Sequence, residues 1–317
     1  MKRYLSLKLL SFCFSLFIVP ITSGQLITDN TQTPIELVQN ALIGPGVSIS
    51  NVVYTGAPSA IGTFNATGTN LGIESGVLMT TGTVLANENG PQGPNNQAGS
   101  GVDNAYGGSA LLSGILSGEP NYDAAVLEFD FISYTGTIEL IYVFGSEEYP
   151  KYAPPESSTY NDVFAFAISG PGIEADQNIA QLPNGNGQVS INNVNAVTNT
   201  EYYVANGSGS DAPYNSSDEY IQYDGFTTKL SAQATVQAGE VYHLTIAIAD
   251  VGDGSWDSGI FLEQNSLSAS IETLSNDDKQ LLRILDLMGR ETSFKPNTLL
   301  IYVYDDGSTE KVFSVEY

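Results

Sequence analysis

Between Ile141 and Gly172 the chain reads IYVFGSEEYPKYAPPESSTYNDVFAFAISGPG, and the rest of the sequence is understood outward from there. Ile141 to Phe144 is an apolar run of the kind that fills the inside of a sheet. It leads into two acids, Glu147 and Glu148. A loop rich in Tyr and Pro follows, then Asn161-Asp162, then a second apolar run from Val163. Carboxylates at the ends of buried strands, with almost no basic residue beside them, need a counter-ion. The leading expectation from this stretch is a calcium-bound extracellular β-domain.

Similar runs recur on both sides. Val47–Tyr54, Gly76–Thr81, Ala125–Ser133, Thr137–Phe144, Val163–Ile168, Thr227–Val236, Val241–Ala249 and Gly259–Ile271 are short and apolar or alternating. Gly, Asn, Ser and Pro separate them. In the third run Leu127, Phe129 and Phe131 face one way while Glu128 and Asp130 face the other, which is a strand with one wet face. Many short strands with turn-rich connections predict an all-β fold, a two-sheet, jelly-roll-like β-sandwich. One short N-terminal helix is expected: Thr33 caps it, Pro34 suits its first position, Glu36 completes a capping box, and Gly44 ends it. Two long polar loops, Asn87–Ser109 and Asn206–Glu219, interrupt the strands. No internal repeat is present.

Charge marks a boundary. Residues 25–270 carry 26 acidic side chains against two basic ones, Lys151 and Lys229, whereas residues 271–317 carry nine acids and five bases. The shift predicts a separate module from about residue 271. By pattern, its segment from Leu281 reads either as a helix capped by Ser275 or as a strand. A lone helix beside a hairpin has little to pack on, so a small all-β module is expected. Its strands would be Leu281–Leu287, Leu299–Tyr304 and Val312–Tyr317, the last two joined across Asp305–Ser308. The acidity of the larger domain disfavours nucleic acid and anionic lipid, which are bound through Lys and Arg, and favours metal cations.

Met1–Gly24 reads as an export signal: Lys2, Arg3 and Lys8 precede an apolar run, Leu9–Ile21, that is too short to span a bilayer. Cys13, the sole cysteine, lies inside it, so the mature chain is expected to have no disulfide. No other segment is apolar for long enough to cross a membrane.

The metal candidates are Glu147, Glu148 and Asp162, with Asp250, Asp253 and Asp257 from the stretch Ala249–Gly259. Calcium takes roughly six to eight oxygen ligands from carboxylates, carbonyls and water. The spacing is not that of an EF-hand, and Asp-Gly pairs are also ordinary turn chemistry. Asp224, in Tyr223-Asp224-Gly225, reads more simply as a turn residue. Zinc lacks an N/S ligand set, because His243 is the only histidine. His243 is expected as a packed or edge residue of a strand. Tyr149, Tyr152 and Tyr160, among Pro150, Pro154 and Pro155, would make an aromatic platform for a glycan or peptide; the plainer reading has them pinning the loop. Asn65, Asn206 and Asn215 head glycosylation triplets, which arise freely in so Ser/Thr/Asn-rich a chain.

No Gly-x-Ser-x-Gly elbow or phosphate loop is present. The expectation is therefore a non-enzymatic module in adhesion or matrix contact. Carboxylate-dependent glycan cleavage, which needs only two acids at a set separation, and a purely structural part in a surface assembly stay open as alternatives.

The chain also resembles a known family. Tyr142–Tyr149, Asn161–Phe164, Ser169–Gly172, Ile191–Asn195, Asp224–Thr227, Tyr242–Leu244, Ile248–Gly254 and Asp257–Leu262, in that order, resemble the choice-of-anchor L domain of bacterial surface proteins. The likeness runs from about Thr33 to Ser270 and implies an exported, often surface-attached module with no established catalytic activity. Ile284–Glu291, Leu300–Tyr304, Asp306-Gly307 and Glu310-Lys311 are similar to a C-terminal sorting domain of the type IX secretion system. That likeness implies the type IX machinery as a partner and the outer surface or medium of a Gram-negative bacterium as the address. The tail departs from the usual pattern in being short and in carrying Leu300 where Gly is common.

Overall fold

The computed structural model describes residues 25–86, 89–97, 99–116, 118–155, 160–183, 185–207, 220–269, 281–304 and 309–313. The export signal with Cys13, the triplet at Asn215, Ser208 of the triplet at Asn206, Ser275 and the Asp305–Ser308 turn lie outside them. Contacts divide the chain into two compact units between Ser270 and Ile271.

In chain order the strands are β1 (Ile27–Asp29), β2 (Val47–Thr55), β3 (Ile61–Asn65), β4 (Ser75–Thr80), β5 (Asn121–Ser133), β6 (Thr137–Ser146), β7 (Val163–Gly170), β8 (Ile173–Asn178), β9 (Tyr203–Ala205), β10 (Gly225–Thr227), β11 (Leu230–Thr235), β12 (Val241–Val251), β13 (Ser258–Glu263), β14 (Leu281–Leu285), β15 (Leu299–Tyr304) and β16 (Thr309–Phe313). The first unit is a sandwich. One sheet has the order β1-β3-β4-β13-β6-β10-β9, with β11 also on β6, and the other has the order β2-β5-β12-β7-β8. All of these pairings are antiparallel.

The alternation seen in the sequence explains why the sheets close on each other. Leu127, Phe129 and Phe131 of β5, Tyr142 and Phe144 of β6, Phe164 and Phe166 of β7, and Leu244, Ile246 and Ile248 of β12 all belong to one buried cluster. Tyr142 meets the Phe166 ring edge-on at 4.9 Å, and Phe144 stacks on Phe164 at 5.1 Å. Fully burying an aromatic or branched aliphatic side chain contributes about 1.5–3 kcal/mol. The strands at the middle of each sheet are also covered on their outer faces. Val143, Phe261 and Leu78 lie under Ile221, Tyr223 and Phe226, and Ala165, Ala247 and Ala249 lie under Leu112. That two-sided burial is why β7 and β12 read as continuous apolar runs instead of alternating ones.

The expected helix start is present. Thr33 and Glu36 form a reciprocal capping box on α1 (Pro34–Leu37), and the chain continues as a π-helical turn over Val38–Leu42. The N-terminal helix is as expected, and the loop after Asn87 runs into a further short helix, α2 (Ala110–Ile115), capped by Ser109. The expected strand Thr227–Val236 is two strands. β10 and β11 share one edge of β6, at Ser146–Gly145 and at Tyr142–Thr137 respectively. β1, β3, β8 and β9 were too short or too polar to be read as strands. The second unit is a three-stranded antiparallel sheet, β14-β15-β16, in which the segment from Leu281 is a strand. Its last strand begins at Thr309, earlier than expected, because Leu299 pairs with Phe313.

Candidate functional site

Six acidic residues stand at the ends of strands, and the antiparallel registers bring those ends together. Glu147 and Glu148 follow β6, whose last residue Ser146 pairs with Ser258 at the start of β13 and with Gly225 at the start of β10. Asp257 and Asp224 immediately precede those two strands. In the other sheet Ala249 pairs with Val163, which places Asp250 of β12 beside Asp162 at the entry to β7. The acids of both sheets therefore line one end of the sandwich. Glu147, Glu148, Asp162, Asp224, Asp250 and Asp257 are all buried there.

Hydrogen bonds hold some of these carboxylates. Asp162 accepts from the Val251 amide at 3.0 Å and from the Ser258 hydroxyl at 2.6 Å. Asp257 accepts from the Val102 amide at both oxygens, at 3.1 and 3.2 Å. It also lies so close to Gly82 that a Cβ there would sit 1.4 Å from its Oδ2. Asp224 accepts from the Asn95 side-chain amide at 2.8 Å. Asp123, in a left-handed conformation at φ 48°, accepts from the amides of Asn104 and Tyr106 at 3.0 and 2.7 Å.

Others have no such support. Neither oxygen of Glu147, neither oxygen of Asp250, and not Oε2 of Glu148 has a hydrogen-bond partner. The Ser100 amide and Gln222 near Glu147, and the Thr81 hydroxyl near Asp250, come close enough to favour the ionised form slightly, and the Asp250 carboxyl comes within reach of that of Asp162. None of them makes a bond of good geometry. Burial lifts Glu147 well above the usual carboxylate range, and the charges of Asp224 and Asp257 push it further. Burial does the same to Asp250, reinforced by Asp162 and Asp257, and to Asp257, which the Val102 amide partly restrains. Glu148 is raised by burial and then by Asp162 and Asp253. Asp162 is also raised by burial, against the pull of Ser258 and Val251. Asp224 is pushed up to about 7 by burial, with Asn95 opposing.

No cation of the domain answers this charge. The Lys151 ammonium lies 4.3 Å from the Trp256 ring centre and 5.0 Å from that of Tyr152. Lys229 is 3.8 Å from Glu263. His243 lies in the central strand of its sheet and meets Asp130 at 2.8 Å and Glu128 at 3.6 Å, away from the acidic end. Among the described residues, no three or more His, Cys, Asp or Glu side chains are drawn into a single metal-holding group. Oxygen-rich sites for hard cations complete their shells with carbonyls and water, so pairs of carboxylates are the units to consider.

Two expectations shift with this geometry. Asp224 is no surface turn residue but part of the buried set. Asp253 is exposed, and its Oδ1 accepts from the Ser255 amide at 3.0 Å in a local turn, although its charge still reaches Glu148. The aromatic platform is also corrected. Tyr149 is fully buried and donates to the Val194 carbonyl at 2.6 Å, so it pins the loop and offers no surface to a ligand. Tyr152 and Tyr160 do meet, at 4.9 Å, and Trp256 joins them 5.0 Å from Tyr152. Together with Glu148, Asp253 and Ser255 they line a small cavity of about 50 Å³. Sequence reading passed over Trp256, Asn95, Asn104 and Asp123. Asp123 carried a usable signal, an acid directly before the apolar run of β5, much as Asp162 and Asp257 stand before β7 and β13.

The fold and this end together define a β-sandwich module closed by carboxylates from both of its sheets. The chain belongs to the choice-of-anchor L family, whose domain it matches over residues 26–268. That family is one of cell-surface modules and is not a known enzyme family. No curated protein matches the chain. Among the described residues, no helix is long and apolar enough to cross a membrane.

Proposed function

We propose that this protein is a non-enzymatic binding module of the cell exterior that serves adhesion or matrix contact, with calcium holding its acidic end together. The observation that carries the reading is the pair Glu147 and Asp250. Each is buried with both carboxylate oxygens unpartnered, and no Lys, Arg or His among the described residues faces them. Burying an uncompensated carboxylate costs several kcal/mol. Protonation relieves Asp250 in part, because its carboxyl lies within hydrogen-bonding reach of Asp162, but a divalent ion also satisfies the oxygens that a single proton leaves bare. An all-oxygen donor set without imidazole or thiolate suits a hard cation, and calcium tolerates the irregular geometry of strand ends.

A carboxylate-dependent glycan-cleaving enzyme is less well supported. Such an enzyme needs two carboxyls flanking an open cleft. Glu147 is inside the protein, and the cavity at Glu148 has about 50 Å³, well below the roughly 300–1,000 Å³ of a usual small-molecule site. Tyr152, Tyr160 and Trp256 remain the surface we assign to a glycan or matrix ligand. We read the tail as a type IX sorting domain that delivers the chain to the outer surface or medium of a Gram-negative cell. Its small antiparallel sheet leaves Leu282 and Met288 exposed, as a segment read by another protein requires.

Thermal melting in calcium and in excess chelator tests the ion. The midpoint should rise with calcium, by an amount equivalent to about 2.7 kcal/mol when the ion is at a hundred times its dissociation constant. An unchanged midpoint removes the ion from the reading. Binding to a broad array of glycans and matrix proteins tests the adhesive role, and silence across the array counts against it. Deleting residues 271–317 should leave the product inside the outer membrane; normal export without them would refute the sorting role.

A further inference from the structure

We infer that the acidic end holds two calcium ions, one at Glu147 and Asp224 and one at Asp250 and Asp162, with Asp257 standing between them. This rests on the calcium reading above and adds its number and its ligands. The acids do not converge on one point, since no group of three or more forms a single metal-holding set among the described residues. The fully unpartnered carboxylates instead fall in two places, with Oε2 of Glu148 beside the second, where it faces Asp162. At the first, both oxygens of Glu147 lack partners, and the charges that face it are those of Asp224 and Asp257. At the second, both oxygens of Asp250 lack partners, and it faces Asp162, Asp257 and Asp123. Of the acids, Asp257 faces both, and the Tyr223 hydroxyl stands near Glu147, Asp250 and Asp257 alike.

The supporting bonds fit this division. Asp224 keeps one oxygen on the Asn95 amide. Asp162 is held by Val251 and Ser258. Asp257 is fixed by the Val102 amide and packed against Gly82. Each place thus joins one carboxylate with no partner to one that is already oriented, which is how a carboxylate pair is prepared for an ion. Charge points the same way. Glu147, Glu148, Asp162, Asp224, Asp250 and Asp257 are all buried, and a single divalent ion would leave most of their charge uncompensated. The remaining ligands of each ion would be carbonyls, side-chain amides and water.

Native mass spectrometry and calorimetry on the purified full chain, stripped with chelator and titrated with calcium chloride, test the inference. Wild type should take up two ions. Glu147→Gln and Asp250→Asn should each take up one, and the double variant none. Both substitutions replace a buried charge by a neutral group of the same shape. In chelator they should therefore melt no lower than wild type, which checks that they fold. One ion in the wild type overturns the two-ion inference and leaves the calcium reading standing. No ion at all overturns both. Two ions retained by either single variant overturns the assignment of residues.

Discussion

The Ser258 hydroxyl donates a 2.6 Å hydrogen bond to Asp162 Oδ2, and that bond ties the two sheets together at their acidic end. Ser258 opens β13 in one sheet, while Asp162 stands at the entry to β7 in the other. Losing the hydroxyl strands a buried carboxylate oxygen, which costs about 1–3 kcal/mol. Ser258→Ala should lower the free energy of unfolding by that much, read as a lower urea midpoint at an unchanged slope of the transition. A variant as stable as wild type would show that the bond does nothing for closure.

Acidity should stabilise the ion-free protein. Burial raises Asp224 from 3.8 to about 7, and Glu147, Asp250 and Asp257 move in the same direction. A raised folded-state pKa means that the folded protein holds its proton more tightly than the unfolded chain. The contribution is therefore intact below about pH 4 and is lost as the pH climbs through about 7 for Asp224. In chelator the protein should melt higher at pH 5 than at pH 8. With calcium the order should flatten or reverse, since the ion binds the ionised form. A chelated sample that melts higher at pH 8 contradicts the burial argument.

Gly82 is required by close approach, not by its backbone angles. An alanine methyl there would overlap Asp257, whose carboxylate the Val102 amide holds in place. Overpacking of this kind costs about 1–3 kcal/mol. Gly82→Ala should destabilise the protein by at least that range and weaken its response to calcium. An unaltered calcium-dependent midpoint would mean that Asp257 has room to move.

Tyr149→Phe separates packing from binding. The lost hydroxyl leaves the Val194 carbonyl without its 2.6 Å donor, at a cost of about 1–3 kcal/mol. Denaturant unfolding should record that loss while affinity for any surface ligand stays unchanged. A selective loss of affinity at full stability would return Tyr149 to the platform.

Much of the architecture was legible because it rests on local patterning. The Leu127/Phe129/Phe131 alternation gave β5, and Thr33-Pro34-Ile35-Glu36 gave α1 with its capping box. The break between β10 and β11 was not legible, since Thr228-Lys229 carries no turn signal and the step is imposed by sharing one edge of β6. α2 was hidden among Gly and Ser, and covers an alanine face on β7 and β12. At the site, the acids were visible as strand-end residues, but their burial was not. Asp224 and Asp253 show why. Both sit beside glycine in turn-like sequences, yet register buries Asp224 against Asn95 and leaves Asp253 in solvent. Tyr149 and Tyr152 differ in the same way, although they are three residues apart in one loop.

Asp250 and Asp257, one on each sheet, feel each other's charge where the two sheets close. Their repulsion is held in check by the aromatic interior between the sheets. The sandwich is thus spring-loaded at one pole. Any weakening of Tyr142, Phe144, Phe164 or Phe166 should open that pole before the rest, and amide exchange at Val251 and Ser258 should quicken earliest.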